Sequence, residues 1–298
     1  MQELVDPILY RDVPAARVEQ LKAFRASHPL QTRQAGGLEW SYLLSGQGEK
    51  TILLLGGGIS TAESPFRLIS LLEERSRVLS LNYPDVKNIG EMVDALPALL
   101  EAEGISQVSI FGHSLGGAAA HVLVRRSPKL VDKLVFSSFG LYLPRRVPAL
   151  RRFINLLSWM PYFVIRSYYQ PRMEAQVRSA DVEERPFLNA YLEDLFSHYL
   201  NRRSLVSHFK LLGEFMEHME AYDAYNPVIL RDRVLILGAE DDTSFEVDER
   251  EALAAAYPGA KVHLFETAGH LVGHNRRDEY QKVLSDFLIG KLPPPAQS

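Results

Sequence analysis

The sequence predicts an α/β protein with a mostly parallel central sheet, flanking helices and an inserted helical cap. Three observations carry that expectation. Short apolar runs recur at Thr51–Leu55, Val78–Leu81, Val108–Phe111, Leu134–Ser137, Val234–Leu237 and Val262–Phe265, and such runs fit strands buried on both faces. Helical segments separate most of them, near 64–75, 90–103, 115–126, 248–256 and 278–289, and that alternation implies right-handed crossovers into an open sheet. Finally, roughly 90 residues between Ser138 and Arg233 hold no good strand and are too long for a loop.

Taken in order, residues 14–26 carry Val18, Leu21 and Phe24 at helical spacing. Gly36-Gly37 separates the runs Leu30–Ala35 and Leu38–Ser45, and reads as a tight hairpin turn because glycine reaches positive φ without a Cβ clash. Asn88-Ile89-Gly90-Glu91 resembles a capping box ahead of the helix near 90–103. The strandless interval reads as a helical cap over 141–228, including helices Val182–Tyr199 and Arg203–Met219, inserted into a core of 1–140 and 229–298. The tail Pro293-Pro294-Pro295-Ala296-Gln297-Ser298 reads as frayed.

Composition narrows the function classes. The chain has 298 residues, 33 Lys plus Arg against 37 Asp plus Glu, and 46% hydrophobic residues, which is ordinary globular composition. A net charge of −4 argues against nucleic-acid binding, which favours a basic face. With no cysteine, disulfides, thiol nucleophiles and cysteine metal sites are excluded. Met1-Gln2-Glu3-Leu4-Val5-Asp6 lacks the start of a signal peptide. No apolar run is long enough for a membrane span. The expected location is therefore cytoplasmic.

The chemistry begins at Val108–Phe111, which runs into Gly112-His113-Ser114-Leu115-Gly116-Gly117 and then a helix. Gly-x-Ser-x-Gly between strand and helix is a nucleophile elbow. A serine on so tight a turn needs small neighbours on either side. Thr51–Leu55 enters Gly56-Gly57-Gly58-Ile59. An oxyanion needs two preorganised donors; the Leu115 N–H is one candidate, and Gly58 N–H or the adjacent Ile59 is the other. No Gly-Lys-Ser/Thr follows, which disfavours a nucleotide loop.

A serine nucleophile needs a base, and the base needs an acid to orient it. Val234–Leu237 leads into Gly238-Ala239-Glu240-Asp241-Asp242-Thr243-Ser244-Phe245. Asp241 and Asp242 compete for the acid's place, and the count from the strand end favours Asp242. Among nine histidines, His270 follows a strand and Gly269, so it can reach over the sheet edge. His121, His208 and His218 fall on helices and read as packed or surface residues. His274 lies four residues after His270, but no partner ligand motif supports a metal there.

With these residues the chain resembles the α/β-hydrolase superfamily, in its capped serine esterase-like branch, from about residue 38 to 290. The motifs that carry the resemblance are GHSLGG, GAEDDTSF and AGH, in that order. It implies the α/β-hydrolase fold, with Ser114 as nucleophile, Asp242 as acid and His270 as base, and no metal or organic cofactor. Two stretches depart from the family pattern. Gly56-Gly57 replaces a common His-Gly, and Asn82-Tyr83-Pro84-Asp85-Val86 replaces a common Asp-x-x-Gly turn.

The cap is rich in aromatic and long apolar side chains, among them Trp159, Phe163, Tyr169, Phe187, Phe209 and Met216. Most of these should pack the cap, and a minority should line an apolar pocket over Ser114. The expected activity is hydrolysis of small to medium apolar carboxylic esters. Two rivals share the apparatus: a small-molecule receptor with slow or no turnover, and carbon–carbon hydrolysis, lyase or perhydrolase chemistry. Arg145, Arg146, Arg151, Arg152, Arg166, Arg172 and Arg178 read as a solvated face, or as part of an interfacial lid with weak lipid contact. Oligomeric state is not legible.

Overall fold

The computed structural model describes residues 5–290. The tail read as frayed, and the first four residues of the N-terminal stretch, lie outside them. Helix α1 (Ala15–Ser27) comes first and buries Leu21 and Phe24. Strands β1 (Gln31–Ala35) and β2 (Leu38–Ser45) form the expected hairpin across Gly36-Gly37, both of which have positive φ. The rest of the core follows as β3 (Thr51–Leu55), α2 (Phe66–Leu72), β4 (Arg77–Asn82), α3 (Ile89–Ala102), β5 (Val108–His113), α4 (Leu115–Arg126) and β6 (Val131–Ser137).

Four helices then intervene: α5 (Val147–Leu157), α6 (Tyr162–Val177), α7 (Arg185–Asp194) and α8 (Arg202–Glu217). The core resumes with β7 (Val234–Ala239), α9 (Val247–Ala256), β8 (Lys261–Phe265), α10 (Val272–Asn275) and α11 (Arg277–Leu288). The strands form one sheet in the order β1-β2-β4-β3-β5-β6-β7-β8, antiparallel at β1-β2 and β2-β4 and parallel elsewhere. This is the α/β-hydrolase fold that the sequence predicts, with helical insertions. Among the described residues no helix is long and apolar enough to cross a membrane.

Position in the sheet explains each strand's sequence. Every residue of β3 is buried, as expected of Thr-Ile-Leu-Leu-Leu between β4 and β5. The outer strand β1, Gln-Thr-Arg-Gln-Ala, is polar and almost wholly exposed, which protects an edge from pairing with other chains. One expectation needs correction. Val262–Phe265 does not lie buried on both faces, because β8 is the opposite edge and leaves Val262 and Leu264 exposed.

The inserted helices differ from the sequence reading in detail. The helix expected over Val182–Tyr199 is α7 followed by a π-helical turn, Leu195–Tyr199. Helix α8 is closed by a capping box, in which Asn201 Oδ1 accepts from Ser204 N–H. The insertion is built into the core. Leu211, Phe215 and Met216 join the apolar cluster under α3 and α4, and Phe187, Leu188 and Tyr191 join the cluster on the other sheet face. Its entrance is fastened at Glu249, which is wholly buried. The Glu249 side chain pairs with Arg146 and accepts from Leu143 N–H, and its backbone carbonyl accepts from Leu141 N–H.

Candidate active site

Ser114 sits between β5 and α4 with φ 51° and ψ −112°, a strained region for a residue with a side chain. The flanking glycines are sterically required. A Cβ on Gly112 would lie 2.4 Å from the Gly116 carbonyl oxygen, and one on Gly116 would lie 2.0 Å from the Leu55 carbonyl oxygen. Ser114 N–H donates to the Ser137 carbonyl of the neighbouring strand. The turn is therefore tied to β6 while α4 begins directly behind it.

Asp242 and His270 meet. The His270 Nδ1–H donates to Asp242 Oδ2 at 2.9 Å, and the other carboxylate oxygen accepts from Ser244 N–H at 2.8 Å. Burial opposes the charge on Asp242, but the His270 hydrogen bond and the Ser244 N–H outweigh it and hold the carboxyl below its usual range. Asp241 has a different task. Its Oδ1 accepts from Ala268 N–H at 2.9 Å and Gly269 N–H at 2.8 Å, which fixes the loop that carries His270.

His113, next to Ser114, packs its ring 5.2 Å from that of His270, centroid to centroid. Burial, aided by the charges of His270 and His274, pushes its pKa down to about 3, so the ring is neutral near pH 7. Gly57 lies against the same residues; a Cβ there would be 3.1 Å from His113 Cδ2 and 3.6 Å from Ser114 Cβ. The elbow, the glycine loop and the His270 loop thus converge at one sheet edge. The Ser114 hydroxyl and His270 are not hydrogen-bonded to each other in this arrangement, and such contacts often tighten only when substrate is bound.

In the glycine loop, Gly57 N–H donates to Ser60 Oγ at 3.1 Å and the Gly56 carbonyl accepts from Tyr83 O–H. Among the described residues neither Gly58 N–H nor Leu115 N–H donates to a protein acceptor. Tyr83 belongs to the loop that the sequence leaves without a role; its role is to hold the glycine loop. Helix α8 supplies a second hold. The His208 Nδ1–H donates to the Gly58 carbonyl at 2.9 Å, and the Tyr83 and His208 rings meet edge to face. A carbonyl only accepts, so the proton is on Nδ1. Burial lowers the His208 pKa.

Sequence reasoning took His208 for a packed or surface residue and missed this contact, because nothing local to α8 signals a partner on a distant loop. Two aromatic residues of the insertion also depart from the packed reading: Trp159 is 86% exposed and Phe163 is 69% exposed, and Leu156 beside them is also exposed.

The fold and the convergence of a strained serine with a histidine–carboxylate pair define a hydrolase of the α/β class. A family model described as the alpha/beta hydrolase family matches residues 21–282, and the chain belongs to that family. It is 25% identical over 197 residues to a 2-hydroxy-6-oxononadienedioate/2-hydroxy-6-oxononatrienedioate hydrolase of Dechloromonas aromatica, covering 65% of this chain and 66% of that one. It is 22% identical over 232 residues to the sn-1-specific diacylglycerol lipase ABHD11 of Mus musculus, covering 74% and 72%. A crystal structure of a hydrolase from Pseudomonas aeruginosa superposes with a TM-score of 0.71 at 18% identity, over 87% of this chain and 98% of that one.

Proposed function

We propose that this enzyme is a serine hydrolase that cleaves carboxylic esters of small to medium apolar substrates through an acyl-enzyme. The observation that carries the reading is the His270–Asp242 hydrogen bond beside a strained Ser114. Ser114 Oγ attacks the ester carbonyl while His270 Nε2 accepts its proton. Asp242 holds the Nδ1–H tautomer and stabilises the imidazolium. Leu115 and Gly58 N–H groups, which have no protein acceptor among the described residues, receive the oxyanion. His270 returns the proton to the leaving alkoxide, then activates a water that attacks the acyl-enzyme.

Helices α5–α8 act as the cap of this site. Phe209 and His208 stand over Gly58, with distances of 4.0 Å to the place a Gly58 Cβ would take. The exposed Leu156, Trp159 and Phe163 suit a weak interfacial contact, which salt-sensitive binding to anionic liposomes tests.

The test of the activity is hydrolysis of p-nitrophenyl esters of increasing acyl length. Turnover should depend on chain length, and Ser114→Ala should lower kcat by roughly a hundred-thousandfold or more while the protein stays folded. Equal turnover by Ser114→Ala would remove the reading. A second reading, carbon–carbon hydrolysis, is favoured by the Dechloromonas relative, whose named substrate contains no ester. Turnover of a 2-hydroxy-6-oxo dienoate with no turnover of the ester series would select it.

A further inference from the structure

A cavity adjoins the proposed catalytic groups. Its walls come from α2, α7, α10, α11, the ends of β3, β5 and β6, and the loops that carry Gly57 and Leu271. Gly57 neighbours Gly58, His113 precedes Ser114 and Leu271 follows His270, so the cavity reaches the residue beside each of those groups. Much of the wall is apolar, and two of its polar side chains have nitrogens without a protein partner among the described residues.

The first is Arg67. Its guanidinium carbon lies 4.4 Å from the Phe187 ring centroid and 5.5 Å from that of Phe66. Stacking occupies the faces of the group and leaves its N–H edges in plane. Nη1 donates to Glu184 Oε2 at 2.6 Å. Nε and Nη2 are buried and have no acceptor among the described residues. Those two atoms form the side-on edge of the guanidinium, which holds both oxygens of a carboxylate at once. Arg25 uses that same edge: its Nε and Nη2 reach the two oxygens of Glu63 at 2.9 and 2.7 Å.

The second is His274. Its imidazole faces the cavity and makes no hydrogen bond to protein among the described residues. The residue is exposed at the cavity wall, and either neutral tautomer has one N–H to donate. The local charge is also unbalanced. Arg17, Arg67 and Arg277 converge on Glu184, and among the described residues the one further carboxylate they meet is Asp278, which is exposed. Burial lowers the Arg67 pKa more than its bond to Glu184 restores it, as expected of a buried cation short of acceptors.

We propose that this cavity binds a carboxylate of the substrate, held side-on by Arg67 with His274 as a further donor. The inference rests on the hydrolase reading and narrows it: the part of the ester that enters this cavity ends in an acid group and has an apolar chain between that group and the scissile carbonyl.

The experiment is calorimetric titration of folded Ser114→Ala protein with linear dicarboxylates from succinate to suberate, with 1,6-hexanediol as the uncharged control. One dicarboxylate length should bind at a single site and the diol should not. Adding Arg67→Met should weaken that binding at least tenfold. If Arg67→Met does not fold, Arg67→Lys, which keeps the charge without the fork, should weaken it in the same direction. Absence of binding across the series, or equal binding by the folded Arg67 variant, overturns the proposal. Ester turnover by the unsubstituted enzyme is scored separately. Dicarboxylate binding without turnover of any ester would keep the site and remove the ester reading.

Discussion

At the residue scale, two adjacent carboxylates have different work. Asp242 sets the tautomer of His270, and Asp241 ties down the backbone of the loop on which His270 rides. Asp242→Asn should leave the melting temperature close to that of the unsubstituted protein and lower kcat by roughly ten-thousandfold, because the amide favours the wrong tautomer. Asp241→Ala should instead cost about 1 kcal/mol of stability, the scale of a lost hydrogen bond, with a smaller fall in kcat. Melting curves and ester kinetics on the two variants read both effects; the opposite pattern would exchange the roles. The glycines divide in the same way. Gly116→Ala forces a Cβ into the Leu55 carbonyl and should yield little folded protein, whereas a Cβ on Gly58 has room, so Gly58→Ala should melt near the unsubstituted protein. The elbow was legible in the sequence because its constraint is local: Gly112, Ser114 and Gly116 are a few residues apart and each is required by sterics. The contact between His208 and Gly58 was not legible, because it joins positions far apart in the chain.

At the element scale, the insertion is held to the N-terminal helix by buried charges. Arg25 on α1 pairs with Glu63 and with Asp194 at the end of α7, and Tyr10 O–H donates to the same Asp194. The Arg25 and Asp194 side chains are 6% and 3% exposed. Removing one partner of such a group leaves charge buried without compensation. Arg25→Met should therefore cost about 3–5 kcal/mol, read as a lower urea midpoint, and an unchanged midpoint would mean that the network contributes nothing net. The existence of helices between β6 and β7 was legible from the missing strand. The limits of α5 and α6 were not, since Pro171 lies inside α6 and exposed Trp159 and Phe163 break the apolar stripe. The exposure of β8 was hidden for another reason. Val262 and Leu264 look like core residues, and only the order of strands places them at an edge.

At the scale of the whole molecule, buried histidines tie stability to pH. His121 is wholly buried; its Nε2–H donates to the Ala224 carbonyl, and Nδ1 accepts from Tyr257 O–H at 2.9 Å and faces Arg125. A proton on Nδ1 would meet another donor and a guanidinium, so burial and Arg125 hold the pKa well below the usual histidine range. His113 is held down as well, to about 3. In the unfolded chain both titrate near the ordinary value of about 6.5. A depressed folded pKa means that this stability is complete above that value and is lost as pH falls towards the folded one. Each such histidine should change the folding equilibrium by up to about tenfold per pH unit in that range. Urea midpoints at pH 7, 6 and 5 should fall in order, and a flat profile would contradict it. The parallel sheet was legible because alternation of strand and helix is a global pattern that survives errors at individual boundaries. The central claim, that Ser114 is the nucleophile of a hydrolase, is tested most directly with p-nitrophenyl diethyl phosphate, which transfers its phosphoryl group to an activated serine. The account predicts release of one p-nitrophenol per chain, loss of ester turnover, and an intact-mass adduct that maps to Ser114 and is absent from Ser114→Ala. An adduct at another residue, or turnover that persists with Ser114 unmodified, would contradict it.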